Sequence, residues 1–112
     1  MRVAISSKNK VIESNVSDVF GRCPYFIIAE IKNNKIENTE TIKNESACQT
    51  GGAGISTAQL MAEKNVDTVI TGNIGPRALD VLSQFKIDIY FGDGVIKNVL
   101  QKFIQGKLKK ID

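Results

Sequence analysis

Apolar positions follow two periods along the chain, first that of strands and then that of helices. Three early segments rich in β-branched and aromatic residues are predicted strands: residues 1–6, 25–31 and 35–43. Asn33-Asn34 is a turn signal, so the second and third strands are expected to form a hairpin. Residues 7–17 are polar and predict a loop with at most a short turn of helix.

After the hairpin the apolar spacing becomes helical. The predicted helices are residues 53–65, a segment opened by Gly75-Pro76, and a segment that starts near Val95 and ends near Gly106. Short apolar runs at 66–71 and 87–91 predict two further strands. The lysines beyond Gly106 are expected to complement the dipole of the last helix.

The element order is therefore β-β-β-α-β-α-β-α, which predicts an α/β fold with a five-stranded mixed sheet and three helices, in one domain over residues 1–112. This topology resembles the ribonuclease H-like arrangement. Nucleases of that kind need carboxylates on the first strands to hold magnesium. Here the first strand ends in Ser6-Ser7, and the nearest acids, Asp18 and Glu30, do not form such a set.

Charge and residue usage exclude several function classes. The chain has 15 basic and 12 acidic residues, and the excess lies in the C-terminal lysines, so nucleic-acid binding is disfavoured. Since no apolar run approaches the 18 residues or so of a membrane span, we expect a cytoplasmic protein without a membrane partner. The absence of histidine excludes histidine-based triads and Cys-His zinc sites.

Two cysteines, Cys23 and Cys48, are candidate metal ligands. A lasting disulfide is not expected in a reducing cytoplasm. The hairpin register places both thiols at one end of the sheet. Two thiolates cannot complete a closed zinc site, so a metal would need ligands from a partner chain, sulfide or a cluster. Packing of both thiols in the core is an equally supported interpretation.

Glycine-rich loops at the same edge of the sheet precede all three helices. Helix N-termini carry unpaired N–H groups and partial positive charge, which favours an anion, and glycines permit close approach. The alternative is that the glycines only form tight turns. No P-loop or dinucleotide motif is present. The candidate anion-binding residues are Arg22, Gly51, Gly52, Gly54, Gly72, Asn73, Gly75, Arg77 and Gly94.

Three segments in this order and spacing resemble the dinitrogenase iron-molybdenum cofactor biosynthesis family: FGRCPYF at 20–26, GGAGI at 51–55 and VITGNIGP at 69–76. The resemblance covers Met1 to about Leu108. It implies a ribonuclease H-like fold without nuclease activity, as in proteins that carry the nitrogenase cofactor or its precursor. Many relatives have a histidine before the glycine-rich helix start, where this chain has Gln49-Thr50-Gly51, so no ligand is inferred from it.

The leading hypothesis is a non-catalytic carrier that holds an anionic iron-sulfur or molybdenum-containing cluster through Cys23 and Cys48. It would deliver this cargo, or a precursor, to an apo-protein acceptor as a monomer or as a homodimer sharing four thiols. A second hypothesis is a regulatory or assembly module that binds protein through residues 31–41. A third is a thiol redox enzyme with Cys23 activated by Arg22, although no general base is visible.

Overall fold

The computed structural model describes residues 1–111 and contains one six-stranded sheet with three α-helices. The strands are β1 Arg2–Ser7, β2 Tyr25–Lys32, β3 Lys35–Lys43, β4 Thr68–Thr71, β5 Asp88–Phe91 and β6 Lys109–Ile111. The helices are α1 Ala53–Glu63, α2 Pro76–Gln84 and α3 Ile96–Ile104, with a 3-10 helix at Glu45–Cys48. The α/β class and the mixed sheet are confirmed. The ribonuclease H-like assignment stays a prediction, as does the single domain over residues 1–112, of which Asp112 lies outside the described residues.

The sheet has the strand order β3-β2-β1-β4-β5-β6. β1, β4 and β5 are parallel, whereas β2 pairs antiparallel with both β1 and β3. The carboxyl ends of the three parallel strands therefore meet at one edge of the sheet, and α2 and α3 begin from the loops that follow β4 and β5. This edge is where ligands bind in open α/β sheets.

The prediction of five strands was wrong, because the C-terminal lysines form a sixth. β6 pairs antiparallel with β5, with Lys109 opposite Phe91 and Ile111 opposite Ile89. A three-residue strand with two lysines has no apolar alternation, so its pattern cannot be distinguished from that of a charged tail. These lysines therefore extend the sheet and do not simply complement the dipole of α3.

The β2–β3 hairpin turns where its two asparagines predicted. Asn33 and Asn34 both have positive φ, 54° and 62°, as a type I′ turn requires. Asparagine tolerates this conformation better than most residues. The turn fixes the register, with a bulge between Glu30 and Ile31, and brings Lys43 opposite Tyr25.

Alternate side chains of the central strands enter two separate cores. Ala4, Phe26 and Ile28 pack with α1 and α2 on one face, around Met61 and Leu82. On the other face α3 covers a second apolar set that comprises Val3, Ile5, Ile27, Ala29 and Ile70. Because both faces of these strands are covered, apolar residues occupy consecutive positions. The N-termini of α1 and α2 consequently lie on one side of the sheet and that of α3 on the other.

Residues 8–17, which follow β1, form a loop with bends and a turn but no helix. Ser7 bridges to Val16, and Asn15 bridges to Val95 just before α3. α3 ends at Ile104, close to the predicted end, and Gly106 just beyond it has a φ of 73°, the left-handed conformation that glycine adopts easily. Within residues 1–111 no helix is long and apolar enough to cross a membrane.

Candidate anion-binding site

A pocket of about 380 Å³ opens where the N-termini of α1 and α2 meet the loop before β2. Three short segments line it: residues 20–22, 52–55 and 75–78. Arg22, Gly52, Gly54, Gly75 and Arg77 of the predicted set are all in this lining. Its charged residues are two arginines, and no carboxylate lines the pocket. The local electrostatic environment therefore favours an anion.

The first turn of α1 presents unpaired main-chain donors to this pocket. Gly52 precedes the helix with a left-handed φ of 71° and no side chain caps it. The first helical bond is donated by Ser56 to the Gly52 carbonyl at 3.0 Å. The N–H groups of Ala53, Gly54 and Ile55 accordingly have no acceptor within residues 1–111.

α2 contributes a second set of donors. Its first bond runs from the N–H of Leu79 to the Gly75 carbonyl at 3.0 Å, and no side chain caps its start. Pro76 has no N–H, so Arg77 and Ala78 supply the donors that remain without a partner in the described chain. Arg77 is exposed, and its guanidinium forms no ion pair within residues 1–111. A cation at this end of a helix is unfavourable unless an anion accompanies it.

Small residues let the three pocket segments approach each other closely. A Cβ added to Gly21 would lie 2.8 Å from both Cα and N of Gly54. A Cβ on Gly54 would in turn lie 3.3 Å from the Cβ of Ala78. Gly21 and Ala78 were absent from the sequence-predicted site. The motif FGRC contained the signal for Gly21, but its packing partner is 33 residues away in the chain.

Arg22 is anchored at the side of the pocket by the end of the 3-10 helix. Its Nη1 donates to the carbonyl oxygens of Ala47 at 3.0 Å and Gln49 at 2.6 Å. These bonds leave Nη2 and Nε without a protein acceptor within residues 1–111. Arg22 is therefore held at the pocket with donors to spare.

Cys23 is fully buried, at 0% exposure, and packs in the core beside Phe20 and Phe26. Burial raises the pKa of its thiol from an ordinary 9.0 to about 12, against the opposing hydrogen bond from Asn44. The Sγ lies 3.2 Å from the Phe20 carbonyl, to which the thiol donates. Arg22 does not oppose this shift in pKa, because its guanidinium binds the carbonyls of Ala47 and Gln49. A neutral, enclosed thiol is poorly suited to act as a metal ligand or nucleophile.

Cys48 is exposed at the end of the 3-10 helix and free of any disulfide. It stands between Ala47 and Gln49, the two residues whose carbonyls hold Arg22. Residues 1–111 contain no group of three or more His, Cys, Asp or Glu side chains that could hold a metal ion. The arrangement thus fits a bare cation poorly, whereas its donors suit a negatively charged species.

Gly72 and Asn73 support the pocket without lining it. A Cβ on Gly72 would lie 2.7 Å from the Cα of Asp18, so this position needs glycine for close packing. The main chain of Asn73 accepts from Phe20 N at 3.0 Å and donates to the Asp18 carbonyl at 2.6 Å. These contacts hold the segment that leads into Gly21 and Arg22. Gly51 is exposed beside the pocket, with nothing within 4 Å of an added Cβ.

Gly94 and the N-terminus of α3 do not belong to this site. The first N–H groups of α3 are already paired, Ile96 with the Ser14 carbonyl at 2.9 Å and Lys97 with that of Ile12 at 3.1 Å. The Gly94 carbonyl accepts from Val16 N at 2.8 Å. Carbonyls of the loop between β1 and β2 therefore accept the first two N–H groups of α3, which the sequence analysis had assigned to an anion. Two helix N-termini, not three, form the site.

The fold and the pocket define a small α/β protein with two convergent, unpaired helix N-termini. Its family follows from its sequence. The profile of the dinitrogenase iron-molybdenum cofactor family matches residues 1–106, and the chain belongs to this family. The resemblance drawn from the three motifs is confirmed, and with it a family associated with biosynthesis of the nitrogenase iron-molybdenum cofactor.

Similar proteins align along nearly their whole lengths. An uncharacterized protein of Methanocaldococcus jannaschii, MJ0580, is 36% identical over 113 residues, covering 100% of this chain and 92% of its own. The crystal structure of PH0822 is 33% identical, has a TM-score of 0.84 and covers 99% of this chain and 96% of its own. The apo form of the orange protein from Desulfovibrio gigas is 26% identical, with a TM-score of 0.88, covering 98% and 92%.

Proposed function

We propose that this protein is a carrier that binds an anionic metal-sulfur species in the pocket between α1 and α2. One observation carries the proposal. Five main-chain N–H groups have no acceptor within residues 1–111, and all five belong to residues that line a pocket whose charged residues are two arginines: Ala53, Gly54, Ile55, Arg77 and Ala78. Since each helix N-terminus carries about half a positive charge, such a pocket attracts an anion.

The family association favours a particular class of anion. Iron-sulfur and molybdenum-sulfur clusters, and thiometallate precursors such as tetrathiomolybdate, are anions whose sulfur atoms accept hydrogen bonds from N–H groups. The structure of a relative, the orange protein, is of its apo form, which is consistent with reversible binding of a ligand. We therefore propose cargo of this class, handed on to an apo-protein acceptor without a chemical change.

The two cysteines take different parts in this proposal. Cys48 is the exposed thiol and remains our candidate for a direct ligand. Cys23 was proposed from the sequence as the second ligand, but its burial and raised pKa oppose a thiolate there. Cargo would then be held mainly by main-chain N–H groups and arginines, with at most one protein thiolate.

Binding of tetrathiomolybdate under anaerobic conditions tests this function directly. We expect stoichiometric binding by calorimetry and by the visible spectrum, weakening as salt screens the arginines. Arg77→Gln removes a cation from the pocket and should weaken binding about tenfold to a hundredfold, since a hydrogen bond to a charged group contributes roughly 1.5 to 3 kcal/mol. Metal and sulfide analysis after incubation with iron and sulfide extends the test to assembled clusters.

Lys97→Gln provides the matched control. Lys97 is also an exposed cation in the first turn of a helix, but the N–H groups of Ile96 and Lys97 already donate to the carbonyls of Ser14 and Ile12. This variant should bind tetrathiomolybdate like the wild type. Equal losses in both variants would mean that only net charge matters, and no uptake by the wild type would refute the carrier function.

A further inference from the structure

The main chain on both sides of Arg22 is held by one buried amide, that of Asn44. The Asn44 side chain is only 2% exposed and does not line the pocket. Its Nδ2 donates to the carbonyl of Gly21 at 3.2 Å and to that of Cys23 at 2.9 Å. Those are the residues immediately before and after Arg22, so this single amide constrains the path of the chain through Arg22.

The same side chain also organises the acceptors of the Arg22 guanidinium. Asn44 is the N-cap of the 3-10 helix, and its Oδ1 accepts from Ser46 N at 3.3 Å. The carbonyls at the other end of this helix, of Ala47 and Gln49, accept from Arg22 Nη1. Asn44 thereby sets the position of the Arg22 main chain and of the groups that bind its side chain.

A third contact connects this network to α1. The Thr57 hydroxyl lies 3.2 Å from the Gly21 carbonyl and 3.3 Å from Asn44 Oδ1, and Thr57 is itself fully buried. Thr57 lies one turn into the helix whose first N–H groups face the pocket. The network therefore relates Arg22 to the α1 donors in a fixed geometry. A buried amide with every partner satisfied suits such a role, because alternative arrangements would leave polar groups unpaired.

We propose that Asn44 is a positioning residue of the anion pocket, which acts through Arg22 and does not itself touch the ligand. This inference rests on the proposed function for its effect on binding, but its structural part is independent of any ligand. The network orders Arg22 before cargo arrives, so that binding does not have to immobilise a flexible guanidinium.

The structural part is tested by NMR of the arginine side chains in the free protein. In the wild type the Arg22 guanidinium should give dispersed, slowly exchanging N–H signals, whereas in Asn44→Ala they should move to averaged, rapidly exchanging positions. Arg77, which is exposed and forms no ion pair within residues 1–111, is the internal control, and its signals should stay unchanged. Arg22 signals that are the same in both proteins would overturn the proposal.

The binding part is tested by a double-mutant cycle with tetrathiomolybdate as the probe. Asn44→Ala should weaken binding about fivefold to tenfold in the wild-type background, but less than twofold in an Arg22→Gln background. A loss of equal size in both backgrounds would mean that Asn44 does not act through Arg22. If the wild type does not bind tetrathiomolybdate, the proposed function fails, while the NMR measurement still decides the positioning role.

Two further variants separate positioning from general destabilisation. Ser6→Ala removes another fully buried hydrogen bond, 2.8 Å to Thr71 Oγ1, and should lower stability without changing binding. Thr57→Val replaces Asn44→Ala if that protein does not fold, and it should also loosen Arg22 and weaken binding. Binding lost equally in Ser6→Ala would assign the effect to stability alone.

Discussion

At the scale of single residues, the two cysteines have opposite environments. Cys23 is enclosed by the core and keeps its proton, while Cys48 is exposed next to the carbonyls that hold Arg22. The sequence supported packing and ligation equally for both. Three-dimensional structure separates them, because burial is decided by residues such as Phe20 and Phe26 that surround Cys23 in the folded chain.

Gly21 is a residue whose role can be tested by adding one methyl group. Gly21→Ala would place a Cβ 2.8 Å from the main chain of Gly54, so α1 must shift or the loop must move. Overpacking of this kind costs roughly 1 to 3 kcal/mol in the free energy of unfolding. Urea denaturation should record that loss, together with weaker anion binding because the α1 donors are displaced.

Gly51→Ala is the matched comparison, since an added Cβ there meets nothing within 4 Å and the residue has no positive φ. Its unfolding free energy should stay within about 0.5 kcal/mol of the wild type. Similar stabilities for both variants would show that the contact between Gly21 and Gly54 relaxes easily, and would remove the packing argument for this glycine.

At the scale of elements, the three helix N-termini look equivalent in sequence but differ in the fold. α1 and α2 begin side by side, with Gly54 against Ala78, and their first N–H groups have no acceptor in the part of the chain that the structure describes. α3 begins on the other face, where Ser14 and Ile12 accept its first N–H groups. A glycine-containing loop before a helix therefore indicates where an anion site can form, but the neighbours decide whether its donors remain available.

β6 is an element for which stability measurements give a direct test. Ile111 packs against the core formed with α1 and α2, although it is only half-buried. Ile111→Ala should lower the free energy of unfolding by about 1 to 2 kcal/mol, less than for a fully buried isoleucine. Lys109→Ala, at an exposed position of the same strand, should change it by less than about 0.5 kcal/mol. Equal, negligible effects would mean that β6 contributes nothing to stability.

At the scale of the whole molecule, one sheet separates two cores, one formed with α1 and α2 and the other with α3. The loops that start α1 and α2 therefore lie on the opposite face of the sheet from the loop that starts α3. The pocket uses the side covered by α1 and α2. Its walls come from segments far apart in sequence, at 20–22, 52–55 and 75–78. The site is therefore lost as a whole when the protein unfolds. For the same reason, residues buried in the core affect the site through the free energy of unfolding.

Because the pKa of Cys23 is raised, the free energy of unfolding should fall with pH in the alkaline range. The folded protein keeps this proton up to about pH 12, whereas the unfolded chain releases it near 9.0, so the contribution is complete below pH 9 and is lost between 9 and 12. Over that window the wild type should lose about 1.4 kcal/mol per pH unit relative to Cys23→Ala. Urea unfolding of both proteins from pH 7 to 11 measures the difference, and parallel curves would contradict the raised pKa.

The sequence by itself determined the α/β class, the hairpin, the three helices and the family. These follow from local causes: the apolar period, the positive φ that Asn33 and Asn34 accept, and the glycines and proline at helix boundaries. The family follows from three motifs whose residues, order and spacing can be read directly from the sequence. The sequence also predicted five residues of the pocket lining, because glycines before helices and arginines beside them are visible without a structure.

Only the tertiary structure decided which of those residues act together. It added β6, whose pairing with β5 has no signature in a segment as short as Lys109–Ile111. It buried Cys23, paired the first two N–H groups of α3, and brought Gly21, Gly54 and Ala78 close together. Each of these outcomes depends on contacts between residues distant in sequence. A sequence pattern shows which groups can bind a ligand, but not which of them are already buried or hydrogen-bonded to neighbouring residues in the folded protein.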